Sequence, residues 1–160
     1  MDVIAKKKAL RMLSYGAYVV TAVAGGEVAA GTVSWLSQAS FEPPLIMAGV
    51  KADSRLHARI ESSGAFAVNV VAADQRELAS SFFRPSAVEA DRINGYAFEP
   101  GPETGAPVLL DAPAWFEARV VHTYKGGDHT VVVAEVVSAG VRDADAKGLV
   151  LADVGWTYGG

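Results

Sequence analysis

The sequence predicts a mainly β fold, an antiparallel, Greek-key-like barrel of six or seven strands with short flanking helices. Two β-branched runs on either side of Gly25-Gly26 read as one hairpin, and two longer ones on either side of Gly126-Gly127 read as another. Helical spacing occurs only in short stretches between strands, which argues against a doubly wound parallel sheet. In agreement, no GxGxxG follows a strand and no GxxxxGK[ST] phosphate loop occurs.

In chain order, Asp2 can cap a short first helix with Ile4, Leu10 and Leu13 as its buried positions, and Gly16 is placed to end it. AYVVTAVA (17–24) and VAAGTVSW (28–35) are the arms of the first hairpin. LIMAGVK (45–51) begins just after Pro43-Pro44, because proline starts a ladder but does not continue it. SRLHARIESSG (54–64) carries apolar positions at helical spacing and stops at Gly64, ahead of the continuous apolar strand AFAVNVV (65–71). Asp74 with Glu77 resembles a capping box opening a second short helix, DQRELASSFF. From Arg84 to Pro113 the chain reads as a long surface loop, holding Pro85, Pro100, Pro102, Pro107 and Pro113 out of 7 prolines in all. AWFEARVVHTYK (114–125) and HTVVVAEVVSAG (129–140) form the second hairpin, and LVLADVGWTYG (149–159) offers a last strand.

Composition narrows the function classes. A chain of 160 residues, 51% hydrophobic and 20% charged, suits one globular domain over residues 1–160. Cysteine is absent, so thiolate metal sites, iron–sulfur clusters and cysteine nucleophiles are excluded, and redox chemistry would need a bound cofactor. A formal net charge of -4 with scattered basic residues predicts no nucleic-acid partner, and Lys6, Lys7 and Lys8 read as a solvated helix face. No signal-peptide pattern and no long apolar run is found, so a cytoplasmic protein without a membrane span is expected. His57, His122 and His129 lack metal-site spacing, and no serine sits in a GxSxG elbow. No metal is expected.

Three segments can carry chemistry. Gly31 to Ser40, GTVSWLSQAS, leaves a strand as a hydroxyl-rich, small-residue stretch that suits the hydrogen-bonding edge of a flat heterocycle such as an isoalloxazine or pterin; otherwise it is a plain strand exit. Lys51 to His57 hands a strand over to a helix, where Ser54 as N-cap and Arg55 beside it make an anion site suited to phosphate. Asp53 competes for the same helix end. Gly126-Gly127-Asp128-His129 places an imidazole at the rim of the second hairpin, through glycines that permit positive φ; the plain alternative is a type I′ or bulged turn with a solvated histidine.

The order of LRMLSYGAYVVTA, GTVSWLSQASFEPPLIMAGV, SRLH, GAFAVNVVAADQRELASSF, GAPVLLDAPAWFEARVV and GGDHTVVVAEVVSAG resembles the flavin reductase-like, FMN-binding split-barrel family over almost the whole chain. SWLSQASFEPP is particularly similar to the flavin reductase-like modules of diflavin flavoproteins. By that resemblance Thr32, Val33, Ser34, Gln38, Ala39 and Ser40 would line the isoalloxazine edge, and Ser54, Arg55 and His57, helped by Lys51, would take the phosphate. Asn69 would lie near the flavin, Phe82 or Phe83 with Arg84 would close over it, and Gly127, Asp128 and His129 would meet NAD(P)H. Trp35, where a small residue is usual in the family, and the short closing GWTYGG are departures. The first is expected to narrow the space over the ring and the second to remove part of a partner contact.

The resemblance implies a flavin reductase carrying hydride from NAD(P)H to FMN, or to FAD, with His129 and Asp128 as the catalytic candidates, a homodimeric state, and a flavin-dependent monooxygenase or redox protein as partner. Two alternatives stay open: an FMN-retaining electron-transfer flavoprotein, and a flavin-binding barrel without turnover.

Overall fold

The computed structural model describes residues Met1–Gly160. Its first part runs α1 (Val3–Leu10), β1 (Tyr18–Ala24), β2 (Glu27–Val33), β3 (Leu36–Ser40), β4 (Leu45–Lys51), α2 (Arg55–Ser63), β5 (Ala65–Val70) and α3 (Arg76–Ser81). Four short strands follow, β6 (Val88–Glu89), β7 (Arg92–Ile93), β8 (Tyr96–Pro100) and β9 (Pro107–Leu109). The long hairpin β10 (Ala114–Tyr124) and β11 (His129–Val141) and a 3-10 turn (Leu151–Val154) complete the chain. Seven strands form one antiparallel sheet in the order β2-β1-β5-β10-β11-β4-β3, and β6-β7-β8-β9 form a second.

β2 and β3 are consecutive in the chain yet lie at opposite margins of the large sheet. The strap Ser34-Trp35 joins them, anchored where Gly49 N–H donates to the Trp35 carbonyl at 2.7 Å. The sheet therefore curls, its margins are not joined by a ladder, and α2 packs across the interior. Strand alternation turns Ile46, Ala48 and Val50 inward with Val132 and Ala134 of β11, and Leu56 and Ile60 of α2 bury against them. Ser54 caps α2 by accepting from His57 N–H, and Gly64 ends it in the left-handed region at φ 66°. The first hairpin turns on Gly25 and Gly26 at φ 58° and 78°, the two positive angles a type I′ loop requires.

Five expectations from the sequence are corrected. Asp2 caps α1, but the helix ends at Leu10 rather than Gly16 and buries nothing: Ile4, Leu10 and Leu13 stay 69%, 43% and 55% exposed because no sheet face lies against them. Asp74 and Glu77 form no capping box. Gln75 stands at the cap of α3, its side chain accepting from Ala72 N–H and donating to the Asp111 carbonyl. The stretch from Arg84 to Pro113 is not wholly irregular, since it builds the four-stranded sheet. Glu117, fully buried, holds the adjoining loop by accepting from Glu103 N–H, Thr104 N–H and the Thr104 hydroxyl. Residues 149–159 make only an isolated bridge at Val150 and the 3-10 turn, not a strand. Finally, Gly126 and Gly127 do not adopt positive φ; a Cβ on Gly126 would meet only the exposed Tyr124 ring, and nothing lies near one on Gly127.

Candidate functional site

A cleft of about 750 Å³ opens beside the strap, between the end of β2, the end of β4, the first turn of α2, the segment after α3, and the C-terminal segment 155–158. Its floor is apolar, from Val50, Leu56, Phe82 and Leu151. Lys51, Arg55 and Arg84 bring three cations to its lining, and only Lys51 is in an ion pair, with Asp53 at 3.1 Å.

Two adjacent structures frame one side. In the first turn of α2 the Ser54 hydroxyl takes His57 N–H, while the N–H groups of Arg55 and Leu56 have no intrahelical acceptor, so that helix end attracts an anion. The β11–β4 ladder sets His129 directly opposite Lys51, and Ala52 N–H donates to the Asp128 carbonyl at 2.9 Å. The hairpin tip and the start of α2 are thus knitted together.

At the other corner the His129 side chain is 13% exposed. Its Nδ1 lies 3.0 Å from Asp128 Oδ1 and its Nε2 lies 2.8 Å from the Tyr158 hydroxyl. The ring also packs on Trp35, with centroids 4.5 Å apart. The hydrogen bond from His129, reinforced by its charge, holds the Asp128 carboxyl below the usual aspartate range.

Of the residues singled out in the sequence, Thr32, Val33, Ser34, Lys51, Ser54, Arg55, Phe82, Phe83, Arg84 and His129 line this cleft. The Thr32 hydroxyl is already engaged, donating to the Ala79 carbonyl at 2.6 Å, and Thr32 N–H donates to the Phe82 carbonyl. Thr32 can therefore offer a ligand backbone and methyl surface rather than a free hydroxyl.

Gln38, Ala39, Ser40, His57, Asn69, Gly127 and Asp128 lie outside the lining. Gln38, Ala39 and Ser40 lie on β3, the sheet margin, with Gln38 and Ala39 exposed. Asn69 is fully buried: it donates to the Val19 carbonyl at 3.1 Å and accepts from Leu109 N–H at 2.7 Å, tying β9 to the sheet. His57 points away, buried, with Nδ1 3.5 Å from Glu61 and Nε2 unpartnered. Asp128 projects into solvent and reaches the cleft only through His129. Sequence reasoning missed Trp156 and Tyr158 as lining residues; two aromatics in a glycine-flanked segment were the available signal.

An apolar slot with an open helix N-terminus and cations at one end, and an imidazole fixed by a carboxylate at the other, fits a flat heterocycle bearing a phosphate. Over 144 residues the chain is 31% identical to diflavin flavoprotein A 1 of Synechocystis sp., an alignment covering 89% of this chain and 25% of that protein. The chain thus spans about a quarter of the length of this diflavin relative. The NADH:FAD oxidoreductase of Streptomyces globisporus C-1027, solved in complex with NAD and FAD fragments, superposes with a TM-score of 0.79 at 28% identity, covering 94% of this chain and 90% of that one. The styrene monooxygenase flavin reductase of Pseudomonas putida S12 superposes with a TM-score of 0.70 at 29% identity, over 83% and 84% of the two chains. With the flavin reductase like domain profile matching residues 10–158, the chain belongs to the flavin reductase-like family.

Proposed function

We propose that this chain, as one domain over residues 1–160, is an NAD(P)H-dependent flavin reductase that holds FMN, or the FMN half of FAD, in the cleft. The observation that carries this reading is the pairing, across one apolar slot, of the α2 N-terminus with Arg55 at one end and the Asp128-supported His129 at the other. When bound, the flavin supplies the hydride-accepting ring. The protein supplies position and electrostatics. Arg55 and Lys51, at the helix end that Ser54 caps, hold the phosphate; the backbone of Val33 and Ser34 borders the ring edge; Phe83 and Arg84 flank the opening. His129 orients the nicotinamide, and Asp128 fixes which imidazole nitrogen carries the proton. The named reductase relatives, one of them a monooxygenase component, support an oxygenase as the consumer of reduced flavin.

A second reading is favoured by the likeness to a diflavin flavoprotein and by Tyr158 closing the His129 corner: a retained FMN exchanging electrons with a protein partner. Anaerobic stopped flow with NADH separates the two. The reductase reading expects FMN to bind one per chain, NADH to bleach its visible band, and His129→Ala to keep FMN while slowing bleaching by about tenfold to a thousandfold. FMN fluorescence unchanged by the protein overturns both readings, and stable bound FMN that neither NADH nor NADPH bleaches leaves only the second.

We also propose that the chain pairs as a homodimer through the outer face of β4 and β11. Met47 and Val131 project from it, 44% and 39% exposed, beside the exposed Tyr124 of β10.

A further inference from the structure

His129 has two ring nitrogens, and in this structure both are engaged. Asp128 accepts at Nδ1, so that nitrogen carries the proton of the neutral ring and Nε2 is left as the acceptor. The Tyr158 hydroxyl fills it, donating at 2.8 Å. Any ligand that is to be oriented by His129 must take Nε2 from Tyr158.

The segment that delivers Tyr158 is lightly held. After Trp156, whose N–H donates to the Leu151 carbonyl, residues 157–160 take part in no backbone-to-backbone hydrogen bond. Its grip comes from side chains: Tyr158 against Trp35 at 5.1 Å between centroids, and a long bond of 3.4 Å from Arg11 Nε to the Gly159 carbonyl.

The cover is also imperfect. Trp35 Nε1 is buried without a hydrogen-bond partner, and Gly159 lies over that edge of the indole, so near that a Cβ there would come 2.9 Å from Cζ2. A buried donor left unpaired opposes the arrangement that buries it. The same corner thus offers one free N–H donor and one acceptor that only a hydroxyl now satisfies. A planar carboxamide carries the complementary pair, a C=O for the indole and an N–H for the imidazole.

We propose that Tyr158 and Trp35 are specificity-determining residues of the donor site: the 155–160 segment occupies the nicotinamide position in the donor's absence, and the donor's carboxamide displaces Tyr158 from His129 Nε2 while taking the Trp35 N–H. This rests on the reductase reading above. Because affinity falls by the fraction of molecules in which the site is open, Tyr158 lowers donor affinity without touching the chemistry.

The test uses FMN-loaded protein and NAD⁺, which binds without reducing the flavin. Tyr158→Phe keeps the ring against Trp35 and removes the hydroxyl, so NAD⁺ should bind about 3- to 10-fold tighter, the range for one neutral hydrogen bond. Trp35→Phe should weaken NAD⁺ by a similar factor. In wild type, the ¹⁵N signal of His129 Nε2 should move when NAD⁺ saturates the site, and in Tyr158→Phe the NAD⁺-free signal should already be displaced. Equal or weaker NAD⁺ binding by Tyr158→Phe overturns the proposal, as does an Nε2 signal unmoved at saturation. If wild type binds FMN but no nicotinamide dinucleotide, neither NAD⁺ and NADH nor NADP⁺ and NADPH, the donor reading itself falls, and this proposal with it; bleaching by NADH with no Tyr158 effect removes this proposal alone.

Discussion

Asp128 shows how little burial is needed to tune a carboxylate when its neighbour is placed well. It is solvent-exposed, yet the His129 ring within 3.0 Å favours the ionised form. Its pKa is lowered in the folded chain, so the pairing contributes above the ordinary aspartate value of about 3.9 and is lost as pH falls through the lower folded value. A carbon-detected NMR titration should place the Asp128 midpoint below about 3.9 in wild type and return it toward that value in His129→Ala. An unchanged midpoint in the variant would remove His129 as the cause. His129 itself was legible in the sequence because it follows a hairpin turn, where position is set locally. Asn69 was not: a polar residue inside an apolar strand reads equally as a site or as a buried structural amide, and the partners that decide, the Val19 carbonyl and Leu109 N–H, lie 50 and 40 residues away.

The start of α2 is the element on which phosphate binding turns, and it was readable because a cap depends on neighbours three residues apart. Ser54 accepts from His57 N–H at 3.1 Å and donates to the Lys51 carbonyl at 2.7 Å, fixing both the helix start and the turn from β4. Arg55 stands exposed beside the free N–H groups of the first turn. Arg55→Ala should weaken FMN by about 1.5 kcal/mol, the low end for a charged hydrogen bond, while leaving riboflavin binding nearly unchanged. Ser54→Ala should cost about 1 kcal/mol of unfolding free energy as a lost cap. Isothermal titration with the two ligands decides the first; equal losses for FMN and riboflavin would take Arg55 away from the phosphate. The β6–β9 sheet escaped notice for the opposite reason. Its strands are two to five residues long, and the adjoining loop is held by the buried Glu117 from a distant strand, which no local pattern announces. α1 failed differently, since helical spacing predicts a buried face only when something packs on it.

The order β2-β1-β5-β10-β11-β4-β3 leaves β3 as a margin with one free edge, and the outer face of β4 and β11 is covered by Trp35 only at its Gly49 and His129 end. Gln38 and Ala39 are exposed on that margin; Ser37 pairs with Met47 and shares its outer face, whereas Gln38 pairs with the inward-facing Ile46, so β3 borders the apolar outer face through Ser37. The same strands end at Lys51 and His129, on the cleft. A second copy seated on Met47 and Val131 would cover the apolar face and lie close to the β3 margin, which pairs with β4. A stable pair needs about 800 Å² buried per partner with an apolar centre, and a charge placed there has no room to be solvated. Light scattering after size exclusion should therefore give wild type twice the 16.7 kDa of one chain, and the double substitution Met47→Lys with Val131→Lys the mass of one. Both positions already contact solvent, so the fold should survive the change, checked by an unaltered far-UV spectrum. FMN affinity should fall with the mass if the partner's margin completes the site. Wild type at the single-chain mass would overturn the pairing, and a double variant that stays paired would move the interface to another face.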